Sequence, residues 1–259
     1  MVRASRGTHI VLERRFCPGD EAVLIPRTDD GRVLFVIPWR GRLLVGTTDT
    51  AAGEISDDPA PTPADVDYLL AHARRYLDTA PGTEDVRSAF AGLRPLLFGS
   101  GSTASLRRDH RIVVSRGGLV TIAGGKWTTF RLMAEQTVER ACAVAGIGAR
   151  AGRTARMALA VTPWAEGNDP LESRVLGLET DDGAMAAFTR DALRSGMART
   201  LDDVLSRRSR ARLLDARGAA ALAPVVAEWM AHELGRDAEW AAAQVAAFVA
   251  SALRGLPPA

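Results

Sequence analysis

Alternating apolar and polar positions predict an antiparallel β-sheet in the first 50 residues. His9–Glu13 alternates, Ala22–Pro26 is apolar, and the turn sequence TDDG leads into Val33–Trp39. A second tight turn, RG, leads into Leu43–Gly46. Because each turn joins strands that follow one another in sequence, the pattern predicts a meander.

Helical and strand signals alternate in the next part of the chain. Thr62 is followed by proline and then by an acid in the first turn, which indicates a helix start. That helix is expected to end before the sequence APG at residues 80–82. A strand is predicted over Val86–Leu96, bent or ended by Gly92 and Pro95.

A glycine-rich stretch, a hairpin and a long helix come next. Phe98–Ala104 is expected to be a loop, and two short strands are predicted over Arg111–Ser115 and Leu119–Ala123. Two glycines and a lysine then lead into a helix covering roughly Thr128–Ala145. The glycines and prolines of Ala149–Pro170 indicate a linker.

The last third of the chain shows helical spacing of its apolar residues and no strand signal. The predicted helices are Ala184–Leu193, Leu201–Leu214, Ala219–Glu233 and Asp237–Leu253. The pattern therefore predicts an α+β chain, with a sheet-containing domain over residues 1–148, a linker over 149–170 and an all-helical domain over 171–259.

Composition narrows the class of protein. Hydrophobic residues make up 47% and charged residues 25%, which excludes a disordered chain. The net charge of +2 does not by itself indicate a nucleic-acid or membrane partner. No apolar run approaches the ~18 residues of a spanning helix. The two cysteines are far apart and lack metal-ligand spacing, so neither zinc nor a disulfide is expected and an intracellular location is favoured.

Lys126 is the one lysine among 33 basic residues, and it lies where the hairpin leads into the long helix. Gly124 and Gly125 before it permit close approach of a ligand, and the helix N-terminus offers N–H groups and partial positive charge. A phosphate-binding P-loop is excluded, because Val120 stands where that motif needs glycine and Trp127 where it needs serine or threonine. The alternative interpretation is a plain turn into a buried helix.

Two arginines extend this candidate site. Arg94 lies in an apolar stretch, so it should face an anion or a solvent-filled site. Together Arg94, Arg108 and Lys126 are hypothesised to converge on one small anion such as phosphate. The alternative for Arg108 is an ion pair with the neighbouring Asp109. The sequence GSGSTA at residues 99–104 is not a dinucleotide fingerprint, because no helix follows it.

The remaining candidates are histidines and a group of arginines. His9 opens the first predicted strand at a place where its side chain can reach a pocket, whereas His72 and His232 are expected to be solvated on helices. The arginines of residues 199–217 lack interleaved aromatics and are offset by acids. They are therefore interpreted as a solvated surface or a domain interface, not as a nucleic-acid site.

Several motifs, in order and with compatible spacing, resemble FAD-dependent, aerobic-type glycerol-3-phosphate dehydrogenase. They are VIPW (36–39), VGTTD (45–49), AGLRPL (91–96), RRDH (107–110) and IAGGKWTTFR (122–131). GTHIV (7–11) is similar to a strand of that family, and MARTLDDVLSRR (197–208) to its C-terminal domain. The resemblance implies an antiparallel substrate-domain sheet with incomplete FAD-domain elements, followed by the helical domain.

Members of this family begin with a Rossmann unit that carries GxGxxG, and this sequence contains no such unit. The resemblance therefore implies that the chain is the C-terminal part of such an enzyme, with the nucleotide-binding segment expected upstream of Met1.

The resemblance also implies a reaction and roles for residues. The reaction oxidises sn-glycerol 3-phosphate to dihydroxyacetone phosphate, with hydride passing from C2 to flavin N5 of FAD and electrons then passing to quinone. His9 is the implied base, Arg94 orients the hydroxyl and favours its alkoxide, and Arg94, Arg108 and Lys126 bind the substrate. The implied cofactor-binding residues are Gly124, Gly125, Lys126 and Thr128.

The implied partners are glycerol 3-phosphate and a quinone, with no nucleic acid. The implied location is cytoplasmic, with peripheral contact at the inner face of the cytoplasmic membrane, and a homodimer stays open. One alternative is a glycerol-3-phosphate oxidase or related flavin oxidase that reduces oxygen. Another is a catalytically inactive fragment that acts as a docking module.

Overall fold

The computed structural model describes residues 2–53, 55–97, 109–148, 150–158 and 169–258. The chain divides into two compact units. The smaller unit comprises Met1–Arg6, Asp49–Asp57 and Leu93–Val161, and the larger unit comprises Gly7–Thr48, Asp58–Gly92 and Thr162–Ala259.

Eight strands and seven α-helices are described. The strands are β1 (Val2–Glu13), β2 (Val23–Ile25), β3 (Leu34–Trp39), β4 (Arg42–Gly46), β5 (Thr50–Ala51), β6 (Ser88–Leu97), β7 (His110–Val114) and β8 (Val120–Gly124). The helices are α1 (Pro63–Ala73), α2 (Phe130–Ala145), α3 (Pro170–Val175), α4 (Asp182–Arg194), α5 (Ala211–Leu214), α6 (Ala216–Leu234) and α7 (Ala238–Ala252). Within the described residues, no helix has the length and apolar character needed to cross a membrane.

The predicted antiparallel meander is confirmed for β2, β3 and β4 in the larger unit. The expected place of the first strand is wrong, because β1 pairs with β4 instead of β2, giving the order β2-β3-β4-β1 with His9 opposite Gly46. Ile10 and Leu12 of β1 are fully buried, and so is Val11 between them. Since successive side chains point to opposite faces, β1 is covered on both faces, which holds His9 on a rigid central strand.

Helix α1 begins as its sequence predicts. Thr62 and Asp65 form a reciprocal capping box, and Leu69 is among the α1 residues that pack into the core of the sheet. The prediction of a solvated His72 is wrong, because this side chain is 5% exposed. Its ring nitrogens lie 2.8 Å from the backbone oxygen of Tyr68 and 3.4 Å from the backbone nitrogen of Asp29. His232 is exposed, as predicted.

The C-terminal helices form a second core in the larger unit, and Trp39 of β3 packs against it. Helix α3 begins at Pro170, which the sequence assigned to the linker. The helix predicted over Leu201–Leu214 is instead a π-helix, Asp203–Arg208, followed by α5. Buried Ser209 separates the two because its hydroxyl accepts a hydrogen bond from the backbone of Ala211. The domain limits at residues 148 and 170 stay predictions.

An ion pair with a buried carboxylate joins the sheet to these helices within the larger unit. Arg40, in the turn between β3 and β4, places Nη1 2.6 Å from Oε2 of Glu172 in α3. The Glu172 side chain is 8% exposed, and its other oxygen accepts the backbone N–H of Arg210 at 3.0 Å. The carboxylate therefore has a partner on each side.

In the smaller unit, the predicted hairpin and long helix are confirmed to within two residues. Strands β7 and β8 pair with His110 opposite Gly124, and α2 follows. Strand β6 continues through Gly92 and Pro95, which were expected to bend or end it, and both residues are exposed. The loop predicted at residues 98–104 lies outside the described residues.

Candidate functional site

The turn between β8 and α2 is shaped by two glycines with positive φ angles, 76° at Gly124 and 90° at Gly125. A Cβ on Gly124 would lie 2.7 Å from the carbonyl oxygen of Asp109, and one on Gly125 would lie 2.4 Å from Sδ of Met133. Glycine is therefore required at position 124 by both the packing and the turn conformation, and at position 125 by the turn conformation, since the flexible end of Met133 can move.

Lys126 and Thr128 are exposed just beyond this turn. The Lys126 backbone is held in place because its N–H donates to Oγ1 of Thr129 at 3.4 Å and its carbonyl accepts from the same hydroxyl at 3.0 Å. A short 3₁₀ turn, Trp127–Thr129, then leads into α2. Lys126 thus precedes the positive end of a long helical segment, an arrangement that favours an anionic ligand.

Arg94, on β6 of the smaller unit, faces an anion supplied by the chain itself. Its Nη1 atom lies 3.7 Å from Oδ1 of Asp49, and the two side chains are 27% and 14% exposed. The same Asp49 oxygen accepts a hydrogen bond from the buried hydroxyl of Ser5. The sequence left open whether Arg94 faces an anion or a solvent-filled site, and in the structure the carboxylate of Asp49 lies beside the guanidinium.

His9 is held between two neighbours in the larger unit. Its ring stacks on Phe90, with centroids 5.6 Å apart and planes inclined by 16°. On the opposite strand, a Cβ on Gly46 would lie 2.1 Å from Cδ2 of His9. Because only glycine leaves room for the ring, Gly46 and Phe90 together set the direction of this half-buried imidazole.

The structure brings some of the predicted site residues together and leaves others apart. Gly124, Gly125, Lys126 and Thr128 form one turn, and Arg94 belongs to the same unit, whereas His9 belongs to the larger unit. Arg108 lies outside the described residues. The convergence of Arg94, Arg108 and Lys126 on one anion therefore stays a prediction.

Sequence reasoning missed the residues that position these side chains. Asp49, Gly46 and Phe90 were not candidates, although the first two belong to the quoted motif VGTTD. The carboxylate of Asp49 in that motif could have been proposed as the partner of Arg94, which was expected to face an anion or a solvent-filled site in its apolar strand. Phe90 carried no signal, since an aromatic residue in a strand is ordinary core composition.

Two acids of the larger unit, Asp169 and Glu172, lie close together at the start of α3. Asp169 caps α3 by accepting the backbone N–H groups of Leu171 and Glu172 at 2.9 and 3.1 Å. Burial raises the pKa of the Asp169 carboxyl to about 6. The oxygens of both acids are engaged by the chain, and the described residues contain no metal-binding group of three or more histidine, cysteine or acidic side chains. These acids are therefore structural.

Comparison with known proteins gives two family matches and several relatives. Residues 1–140 match the family model described as FAD dependent oxidoreductase, and residues 148–241 match the C-terminal domain of alpha-glycerophosphate oxidase. The mitochondrial glycerol-3-phosphate dehydrogenase of Saccharomyces cerevisiae is 43% identical over 156 residues, which is 56% of this chain and 24% of that protein. Its counterpart from Rattus norvegicus is 41% identical over 154 residues, 58% of this chain and 21% of that protein.

A solved structure shares the fold. The crystal structure of the glycerol-3-phosphate dehydrogenase from Bacillus halodurans complexed with FAD superimposes with a TM-score of 0.76 at 24% identity. The match covers 100% of this chain and 59% of that chain. The alignments with the two curated relatives span less than a quarter of the length of each.

Proposed function

Because this chain belongs to the FAD-dependent oxidoreductase family, we propose that it forms the substrate-binding sheet and C-terminal helices of an FAD-dependent glycerol-3-phosphate dehydrogenase. The observation that carries the proposal is the Gly124–Lys126 turn ahead of α2, with Lys126 exposed. It offers a cation and a helix N-terminus to an anionic group, and relatives over 40% identical carry the name of this enzyme.

The residues of this turn fit one edge of a flavin ring. The Lys126 ammonium and the positive end of α2 suit the negative charge that a reduced flavin carries, and Gly124, Gly125 and Thr128 would line the same edge. When bound, FAD would accept the two electrons of the substrate as a hydride at N5. The described residues contain no glycine-rich strand-to-helix turn of the GxGxxG kind.

In this proposal His9 accepts the proton of the substrate C2 hydroxyl. A positioned base of this kind contributes about 10²–10⁴-fold to a rate. The stacking on Phe90 and the close approach to Gly46 hold the imidazole in one orientation, which keeps the base aligned.

Arg94 orients the same hydroxyl and stabilises its alkoxide, while Arg108 and Lys126 bind the phosphate with Arg94. Asp49, with Oδ1 at 3.7 Å from Nη1, restrains the guanidinium of Arg94. The proposed substrate is therefore a phosphorylated secondary alcohol, because such a molecule offers both a hydroxyl and a phosphate to Arg94.

The proposed electron acceptor is a quinone, reached from a cytoplasmic location at the inner face of the membrane. The match of residues 148–241 to a domain of alpha-glycerophosphate oxidase favours a second candidate, in which oxygen accepts the electrons. Stopped-flow reoxidation of the reduced enzyme separates the two: a quinone analogue should be the faster oxidant under the first proposal, and oxygen under the second.

The test uses a hybrid in which the part of the Bacillus halodurans enzyme outside the match is joined to this chain. We expect a yellow protein whose flavin absorbance is bleached by glycerol 3-phosphate under anaerobic conditions and is not bleached by glycerol. His9→Ala and Lys126→Met should each lower turnover by about a hundredfold. Arg116→Met, which removes an exposed cation from the turn between β7 and β8, is the matched control and should leave turnover unchanged.

Two outcomes would contradict the proposal. A folded, yellow hybrid that glycerol 3-phosphate does not reduce would exclude the substrate. Turnover by His9→Ala or Lys126→Met close to that of Arg116→Met would exclude the assigned roles. A folded but colourless hybrid would instead favour the non-catalytic docking module.

A further inference from the structure

His110 is a residue of the smaller unit to which the proposed function gives no role. It ends the motif RRDH (107–110) and begins β7. Its side chain is partly buried, and its Nε2 atom lies 2.6 Å from Oε1 of Gln136 in α2. Because the amide oxygen accepts, Nε2 carries the proton and donates the hydrogen bond. The imidazole therefore joins the start of the hairpin to the second turn of the long helix.

The two partners of His110 lie on either side of the turn that carries Lys126. In the register of the hairpin, His110 lies opposite Gly124, where β8 ends. Gln136 lies in the helix that follows the turn. Main-chain pairing therefore ties His110 to one end of the segment 124–136, and the side-chain bond ties it to the other end. A single histidine closes the turn and the first helical residues into a ring.

The inner side of this turn is enclosed by the chain. A Cβ on Gly125 would lie 3.2 Å from Cβ of His110, so the histidine side chain starts directly beside the turn. The carbonyl oxygen of Asp109 lies in the same way beside Gly124. The residue that follows the two glycines, Lys126, is exposed. A displacement of His110 is therefore transmitted to the backbone just before the lysine.

A directional bond holds one end of the hairpin on α2, whereas an apolar contact holds the other end. At the end formed by the β7–β8 turn, a Cβ on Gly118 would lie 3.6 Å from Cγ1 of Val144, which is ordinary van der Waals contact. Such contacts are non-directional and tolerate small displacements. The bond of His110 with Gln136 fixes both a distance and an angle. The end of the hairpin that leads into Lys126 is therefore the more precisely held.

The position of the Lys126 side chain depends on this arrangement, because the lysine is held through its backbone. Its N–H and its carbonyl both bond to the hydroxyl of Thr129, while its four-carbon side chain is of a flexible type. A cation on such a side chain acts on a bound anion only when the backbone beneath it is correctly placed. The ring closed by His110 fixes that backbone.

Resting on the proposed function, in which Lys126 binds an anionic group, we propose that His110 is a positioning residue of the reaction. Through its hydrogen bond to Gln136, it holds the turn so that the Lys126 ammonium reaches the phosphate of the substrate. His110 itself touches neither the substrate nor the flavin. The competing explanation is a bond that only stabilises the smaller unit, and it predicts the same loss of activity whether or not the lysine is present.

The first experiment uses the full chain and needs no activity. Lys126 is the one lysine, so isotopically labelled lysine gives a single backbone N–H signal, which reports on this turn. We expect His110→Leu and Gln136→Leu each to raise the hydrogen-exchange rate of that N–H about tenfold, since each leaves the other partner without its bond. Gln136→Glu keeps an acceptor oxygen and should stay within about twofold of the parent. The matched control is Arg111→Leu, which replaces an exposed side chain on the opposite face of β7 and should leave the rate unchanged.

The second experiment measures coupling to Lys126 in the hybrid enzyme. Gln136→Leu should lower kcat/KM for glycerol 3-phosphate about tenfold in the parent, but less than about twofold in Lys126→Met, where no cation is left to position. Equal losses in the two backgrounds would overturn the proposal and leave a purely structural bond. So would an unchanged exchange rate at Lys126 in Gln136→Leu, or equal rises in Gln136→Leu and Gln136→Glu.

Failure of this proposal and failure of the proposed function give different results. If exchange at Lys126 depends on Gln136 but the hybrid does not oxidise glycerol 3-phosphate, the hold of His110 on the lysine stands and the assigned reaction is removed. If the hybrid oxidises glycerol 3-phosphate and Gln136→Leu slows it equally in both backgrounds, the reaction stands and the positioning role is removed.

Discussion

Gly46→Ala tests whether the ring of His9 is held as tightly as the structure indicates. The new Cβ would lie 2.1 Å from Cδ2 of His9. Two non-bonded carbons prefer a separation of about 3.5–4.0 Å, so the ring would have to retreat by about 1.5 Å. A shift of this size disturbs its stack on Phe90, which is worth about 0.5–1.5 kcal/mol. With the residual overpacking, we expect a loss of about 1–3 kcal/mol in the free energy of unfolding.

The assay is urea denaturation of four proteins: the parent, Gly46→Ala, His9→Ala and the double variant. With the imidazole removed, the alanine at position 46 has room, so its cost should fall below about 0.5 kcal/mol. Gly92→Ala is the control, because its Cβ would meet nothing within 4 Å in the same kind of extended backbone. If Gly46→Ala costs the same with and without His9, the clash is not with the histidine and the reasoning is refuted.

Three further predictions concern burial, an ion pair and a turn. Burial raises the pKa of Asp169 from 3.8 to about 6. The folded state therefore holds the proton more tightly than the unfolded chain, and stability should fall by about 3 kcal/mol as pH rises from about 4 to about 6. Asp169→Asn should lack this decline in urea titrations, and parallel curves would contradict the shift. Asp49→Asn and Arg94→Met should be coupled by about 1 kcal/mol in a double-mutant cycle, whereas additive losses would exclude their interaction. Gly125→Ala should lower the free energy of unfolding by about 2 kcal/mol or more, measured by thermal unfolding. Adding Met133→Ala should recover only the part that comes from the steric clash. An unchanged melting midpoint in Gly125→Ala would refute the turn geometry.

Local chemistry made the hairpin and α2 predictable. The turn sequences RGG and GGK lie beside the elements that they connect, so strand ends and helix start could be placed within two residues. The helix predicted over Leu201–Leu214 failed because apolar spacing alone does not distinguish an α-helix from a π-helix. Its break depends on the buried hydroxyl of Ser209, whose burial comes from tertiary packing.

The residues that position the candidate site could not be predicted from the sequence either, because their roles also depend on tertiary packing. His72 is followed at short distance by two arginines, yet it is buried because its ring meets the turn at Asp29, 43 residues away. The need for glycine at position 46 is visible only once His9 lies opposite. The cost of burying a cation predicted either an anion or a solvent-filled site at Arg94, but the contact with Asp49 joins residues that are far apart in the sequence.

The ion pair of Arg40 with Glu172 has a consequence for the ancestry of this protein. Arg40 falls in the segment that matches one family model, and Glu172 falls in the segment that matches the other. If the two segments came from different relatives, the buried carboxylate of one could face a turn that lacks the arginine needed to neutralise it. We therefore expect the two segments to be inherited together. A chimera that takes one segment from a distant relative should fold stably when it keeps both an arginine at position 40 and a glutamate at position 172.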